Sequence, residues 1–265
     1  MPLLVRKYVL LRKLDLCICA IKKRADLAQN ADKIQTEIGW LRKELGSARD
    51  WDVLAESTLP KIGKELTEPA ILNPVRKATQ AKAAETHEKA SAAVMSSRYK
   101  KLVLTFYGWV LGTEWRDSVT AAQREMLGKP ITRLANKTLS RNQENLVKRG
   151  SRLKGANSEM RHRVRIAEKK TSDATKFFAS LYSGKRVRPY IRTLSRFQNE
   201  LGTMNDAAVA TNLLHGLEIE PPEIATGTRF LRRYLFCRAT SDDRELDRRW
   251  KQFKQMSLPC KKLRC

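Results

Sequence analysis

Five cysteines in 265 residues (Cys17, Cys19, Cys237, Cys260 and Cys265) form no C-x-x-C pair, and only His87, His162 and His215 are available to join them. That donor set does not supply the spacing of a structural zinc site, and the odd count argues against a disulfide framework. Cys17 and Cys19, two apart on a helix, point in different directions and suit small core positions. Reduced thiols in a cytoplasm are the expectation. No Walker loop is present, nor the E-x-E-x-K signature of tunnel triphosphatases. No nucleophile or second histidine stands at motif spacing from His162. The sequence therefore reads as a protein that is not an enzyme and takes no cofactor or metal. Long hydrophobic runs are missing too. The longest uncharged apolar stretch, LVLTFYGWVLGT at 102–113, is too short to span a bilayer. Arg6, Lys7, Arg12, Lys13 and Asp15 interrupt the N-terminal apolar residues before a signal-peptide core can form. A soluble protein that stays where it is made, with no membrane partner, is expected.

Acidic residues are scarce relative to basic ones: 28 Asp+Glu against 53 Lys+Arg, a formal net charge of +25. Self-repulsion on that scale calls for an anionic partner. Nucleic acid, an acidic membrane surface and inorganic polyanions all satisfy it. With 42% hydrophobic residues the chain has enough apolar material for a core. Period-2 alternation flanked by turn residues is essentially absent, whereas apolar residues recur at helical spacing: Leu10, Leu14, Cys17 and Ile21 form one stripe, Ile34, Ile38, Leu41 and Leu45 another. Prolines gather at gaps, with Pro60, Pro69 and Pro74 at one, Pro130 at a second, Pro221 and Pro222 at a third. The fold class is all-α.

Residues 161–170 read RHRVRIAEKK. At about 100° per residue, His162, Arg165 and Lys169 share one narrow sector, while Val164, Ala167, Thr171, Ala174 and Phe178 take the opposite side. An ordinary surface helix mixes signs to gain i,i+4 pairs; here like charges repel unless something negative lies against them.

An internal repeat organises the chain. ELGSARDWDV at 44–53 and ELGTMNDAAV at 200–209 match at an offset of 156. Gly46 and Gly202 are expected to end helices in the left-handed conformation, with Ser47 and Thr203 as N-caps of the next ones and Asp50 and Asp206 as capping-box acids. Arg12-Lys13 and Lys169-Lys170 each lie about 33 residues before the glycine. The reading is two related helical halves, about 1–127 and 128–257, joined near LGKPITR, with a basic tail at 258–265. The two basic helices are expected to be related by a pseudo-twofold axis and to converge on a shared cleft.

At these residues the chain resembles the conserved histidine α-helical domain, or CHAD, family. Matching stretches include LRKLDL at 11–16, IGWLRKELGSARDWDVL at 38–54, SSRYKKLVL at 96–104, LVKRGSRL at 146–153, MRHRVRIAEKK at 160–170, FQNELGTMNDAAVATNLL at 197–214 and RRWKQF at 248–253. The resemblance implies two four-helix-bundle-like halves around a basic central channel, spanning 1–257, and binding of inorganic polyphosphate. It further implies a cytoplasmic setting that can include polyphosphate granules. His162 takes the place of the family's characteristic histidine, Arg165 that of the arginine three further on, and Lys169 and Lys170 that of the following basic pair. The pattern departs at Ser172 and Asp173, where Arg-Tyr is usual, and at Val5, Tyr8 and Asp15 in the first half, where only Arg12 and Lys13 survive.

Other basic positions match the family as well: Arg98 and Lys101 in SSRYKK, Arg149 and Arg152 in KRGSRL. Each can equally be a cation at a helix tip, and Arg49 can line a channel or pair with Asp50 or Asp52. The five tryptophans (Trp40, Trp51, Trp109, Trp115, Trp250) do not interleave with the basic runs and read as core anchors. Polyphosphate, met by spaced Lys and Arg donors, is the first functional reading; a non-specific RNA- or DNA-binding helical protein is the alternative.

Overall fold

The computed structural model describes residues 28–112, 120–217, 221–241 and 243–260. Among them the secondary structure is helical throughout, as the periodicity requires. The α-helices are α1 (Ala28–Asp52), α2 (Leu59–Glu65), α3 (Asn73–Met95), α4 (Ser97–Leu111), α5 (Ala121–Gly128), α6 (Ile131–Gly150), α7 (Ser158–Phe177), α8 (Gly184–Gly216), α9 (Pro222–Ser241) and α10 (Asp243–Lys254). A π-helical turn, Val53–Thr58, continues α1, and 3₁₀ turns occupy Pro69–Leu72 and Ala179–Leu181.

Proline positions explain most boundaries. Pro60 lies in the first turn of α2 and Pro69 begins the 3₁₀ turn, where the missing N–H costs nothing. Pro189 is the exception: it lies inside α8 and deletes a bond to the Lys185 carbonyl. Side-chain caps set two other starts. Ser96 Oγ accepts from Tyr99 N (3.2 Å) at α4, and Asn157 Oδ1 accepts from Met160 N (2.9 Å) at α7.

The expectation for Gly46 and Gly202 is overturned. Both lie mid-helix, in α1 and α8, and Ser47 and Thr203 cap nothing. Among the described residues the positive-φ glycine is Gly155 (φ 69°), in the turn between α6 and α7. Thr203 Oγ1 instead donates back to the Asn199 carbonyl (3.1 Å) within the helix. The reason is that the apolar stripe runs through each glycine without a break. Leu41, Leu45 and Ala48 are buried on α1, and Phe197, Leu201 and Met204 on α8. Tertiary burial outweighs the roughly 1 kcal/mol by which a glycine disfavours a helix interior.

Two compact units result, the first from the described parts of 28–52 and 79–134, the second from Val53–Ala78 and 135–260. In the first unit α1 packs on α4 around Ile34, Ile38, Leu41, Leu45, Ala90, Leu102 and Trp109, with Trp40 and Phe106 at its margin. In the second, α8 packs on α7, α9 and α10. Its core joins Val164 and Ala167 to Tyr190, Leu194, Phe197 and Leu201 and to Leu246, Trp250 and Phe253. Phe197 stacks on Phe253 (6.2 Å between centroids), and Trp250 sits 5.5 Å from Phe197. The Tyr190 hydroxyl, buried in this core, donates to Gln143 Oε1 (2.9 Å).

The 156-residue offset extends upstream of the quoted motif. Ile34, Ile38, Leu41, Leu45 and Ala48 on α1 correspond to Tyr190, Leu194, Phe197, Leu201 and Met204 on α8, and all ten are buried. The predicted core stripe of the basic helix is buried as well: Val164, Ala167, Thr171, Ala174 and Phe178 are at most 5% exposed. Trp109 and Trp250 are core residues, Trp40 and Trp51 are half-buried, and Trp115 lies outside the described residues. No described helix is long and apolar enough to cross a membrane.

Candidate functional site

Antiparallel packing of α7 on α8 positions the basic row. His162 Nδ1 lies 3.4 Å from Asn205 Oδ1, and Ser172 Oγ donates to Gln198 Oε1 (3.4 Å). His162, Arg165, Lys169 and Ser172 fall within about 80° of one another on a helical projection. Gln198, Gly202 and Asn205 form the matching i, i+4, i+7 row on α8. Because the two ends of each row touch, Arg165 and Lys169 stand in the groove between the helices, level with Gly202. Both are half-buried, while His162 at the mouth is exposed. Apart from the adjoining backbone of α8 itself and the two chain neighbours, no heavy atom lies within 4 Å of where a Cβ on Gly202 would stand, so the groove is open opposite the two cations. The facing positions on α8 carry no charge. With Asn205 accepting at Nδ1, the Nε2 edge of His162 remains for a ligand.

Beneath the row, Glu168 is fully buried. It stands three residues from Arg165 and next to Lys169, within range to offset part of the row's repulsion. Thr171, Ser172 and Thr175 are buried beside it on α7; Thr171 Oγ1 donates to the Ala167 carbonyl (2.8 Å) and Thr175 Oγ1 to that of Thr171 (2.7 Å). The departure from the family pattern at Ser172 thus fills a buried position against α8.

Not all the predicted cations share this groove. Lys170 lies on the α6 side of α7, where its carbonyl accepts from Asn142 Nδ2 (3.3 Å). Arg149, in the last turn of α6, donates to the Arg163 carbonyl (3.2 Å), and Arg152 is exposed in the following turn. Lys170 and Arg149 thus lie on the α6 side of α7. Among the described residues no group of three His, Cys, Asp or Glu side chains is placed to hold a metal ion.

In the first unit, Arg98 donates from Nε and Nη2 to the two carboxylate oxygens of Glu37 (2.6 and 3.0 Å) and lies 4.2 Å over the Trp40 ring. That hydrogen bond holds the Glu37 carboxyl below its ordinary pKa, with the nearby charge of Lys101 acting in the same direction. Arg98 is therefore a bidentate latch between α4 and α1, and Lys101 is exposed one turn on. Arg49 is half-buried and donates to Asp50 Oδ1 (3.1 Å), the local pairing that stood as one of its two readings. Arg12 and Lys13 lie outside the described residues.

Two features escaped the sequence reading. At the offset of 156, the α8 row Gln198–Gly202–Asn205 corresponds to Arg42–Gly46–Arg49 on α1, so Arg42 belongs with Arg49. The i, i+7 spacing about the glycine was the available signal. The other is the set of exposed cations Lys185, Arg188, Arg192 and Arg196 on the outer face of α8.

No curated protein matches the chain in sequence. The family model described as the CHAD domain matches residues 11–215, a span that includes both copies of the repeat. The crystal structure of the CHAD domain from the plant Ricinus communis is similar at 30% identity and a TM-score of 0.80, over 97% of this chain and 83% of that one. PptA from Streptomyces chartreusis, 14% identical, shares the fold with a TM-score of 0.66, over 91% of this chain and 86% of that one. Pattern and fold agree over nearly the whole length, and the chain belongs to the CHAD domain family.

Proposed function

We propose that the protein is a non-catalytic binding module for inorganic polyphosphate, held by the α7 cations in the groove beside α8. The observation that carries this reading is the half-buried pair Arg165 and Lys169 facing an uncharged, open stretch of helix at Gly202. In isolation a row of cations at i, i+3 and i+7 destabilises its helix. A polyanion laid along it turns that cost into binding energy. Arg165 supplies a bidentate fork, Lys169 a point charge, and His162, when protonated, a donor at Nε2. Polyphosphate is also the ligand that the family resemblance implies, and association with cytoplasmic polyphosphate granules would follow from the same contacts.

Binding of this kind is driven by release of condensed counterions, so its salt dependence counts the contacts. Replacing Arg165 and Lys169 with Glu should weaken long-chain polyphosphate binding and flatten the log–log salt slope by about 1.4 to 1.8, at roughly 0.7 to 0.9 per phosphate contact. The control replaces Lys61 and Lys77, exposed cations of the same unit, with Glu. Lys251 and Lys254 make poorer controls, since one pairs with Asp247 (2.8 Å) and the other lies 5.9 Å over Trp250. Equal losses in the two double variants would reduce the effect to overall charge and remove the site.

A further inference from the structure

Between Asp173 and Glu200 the chain holds no acidic residue and six cations. Four of these, Lys185, Arg188, Arg192 and Arg196, form a single file at i, i+3, i+7 and i+11 along α8, and all are exposed. None is paired with a described residue. The file lies opposite the buried stripe Tyr190–Leu194–Phe197–Leu201 on a helical projection. It also points away from the row Gln198–Gly202–Asn205 that faces α7. These cations are therefore separate from the α7 groove.

The fold does not require them. At the offset of 156, Arg188, Arg192 and Arg196 correspond to Asp32, Thr36 and Trp40 on α1. The buried stripes of the two helices match position for position, yet the outer faces differ in charge. Nor does the file support its own helix through ion pairs. On α10, by contrast, Glu245 takes Arg248 and Arg249, and Asp247 takes Lys251. An unpaired cationic file costs stability through repulsion, and an exposed rigid helix is where an anionic partner can repay that cost.

We infer that the outer face of α8 binds the phosphodiester backbone of duplex nucleic acid without reading its sequence. Three of the four cations are arginines, whose planar forks match phosphate oxygens. No large apolar side chain interrupts the file, which argues against a protein interface with a buried anchor and against insertion into a lipid surface. No aromatic stands in it to stack an unpaired base, as a single-strand binder requires. The file spans about 17 Å from Lys185 to Arg196 at about 1.5 Å per residue. All four cations are exposed, so a wide partner can lie along the file, and a stiff duplex loses little freedom on binding there.

The test uses the full chain, a short duplex DNA of arbitrary sequence and long-chain polyphosphate, titrated separately over a range of salt. In the variant, Arg188, Arg192 and Arg196 are all replaced with Gln, a good helix former at exposed positions, and its melting curve is recorded alongside. Expected is a loss of duplex affinity of at least about tenfold near 0.15 M salt, and a log–log slope shallower by about 2.7, or 0.9 per lost contact. Polyphosphate affinity should change by less than about twofold, because the α7 groove is untouched. Failure of the wild-type chain to bind duplex, or unchanged affinity and slope in the variant, would overturn the inference. An equal loss for polyphosphate would assign the file to the polyphosphate site instead. A variant that fails to melt cooperatively is replaced by the single substitution Arg192→Gln, read on the slope alone, with about 0.9 expected and no change refuting it.

Discussion

Replacing Gly202 with Ala should raise the melting temperature, and the same change at Gly46 should do likewise. A glycine in a helix interior costs about 0.5 to 1 kcal/mol relative to alanine, through the freedom it has in the unfolded chain. That gain is realised only where the methyl group meets no obstacle. At both positions no heavy atom beyond the chain neighbours and the helix's own adjoining backbone lies within 4 Å of the new Cβ, and neither glycine has a positive φ. The methyl also buries against nothing, so packing adds little and the backbone effect stands alone. For a chain of this size about 0.5 to 1 kcal/mol corresponds to roughly 1 to 4 °C. Thermal unfolding followed by circular dichroism measures it. Gly150→Ala supplies the opposite sign from the same chemistry, because its Cβ would run into the Trp250 ring, and overpacking of that kind costs about 1 to 3 kcal/mol. A fall in melting temperature for Gly202→Ala would refute the reasoning. It would mean that the position is closed, and the groove opposite Arg165 and Lys169 with it.

Further outcomes follow from other contacts. Gly202→Leu should leave charge unchanged yet weaken polyphosphate binding, measured by calorimetric titration, since its side chain would occupy the groove. His87→Ala should destabilise the first unit by about 1 to 3 kcal/mol in a denaturant titration, because His87 Nε2 sits 2.7 Å from Oδ1 of the buried Asp52 carboxylate, which would be left without that bond. Glu37→Gln should lower the melting temperature at neutral pH. The Glu37 pKa is lowered by Arg98, so its contribution is complete above the ordinary value of 4.5 and is lost as pH falls through the lowered one; the gap between variant and wild type should close in that acidic window. Tyr190→Phe should cost about 0.5 to 1.5 kcal/mol, read from the shift of a urea midpoint, through loss of the bond to Gln143.

The sequence by itself determined the fold class and which face of each repeat-bearing or basic helix is buried. Ile34, Ile38, Leu41 and Leu45, and likewise Val164, Ala167, Thr171, Ala174 and Phe178, are inside because a 3.6-residue period places them on one side whatever they meet there. The offset of 156 and the family pattern were legible for the same reason, being linear. Only the tertiary structure decided what each polar face meets. Gly46 and Gly202 carry the local signature of helix ends, yet burial on both sides of them keeps the helices running. Arg98 is a surface cation in the sequence, but it is bound to Glu37, 61 residues away, and to Trp40. His162, Arg165 and Lys169 share a sector by arithmetic, but the approach of α8 turns that sector into a groove and leaves Lys170 on the other side. Periodicity is a property of one helix, whereas a site is made by two, and their register is set by long-range packing that no local pattern encodes.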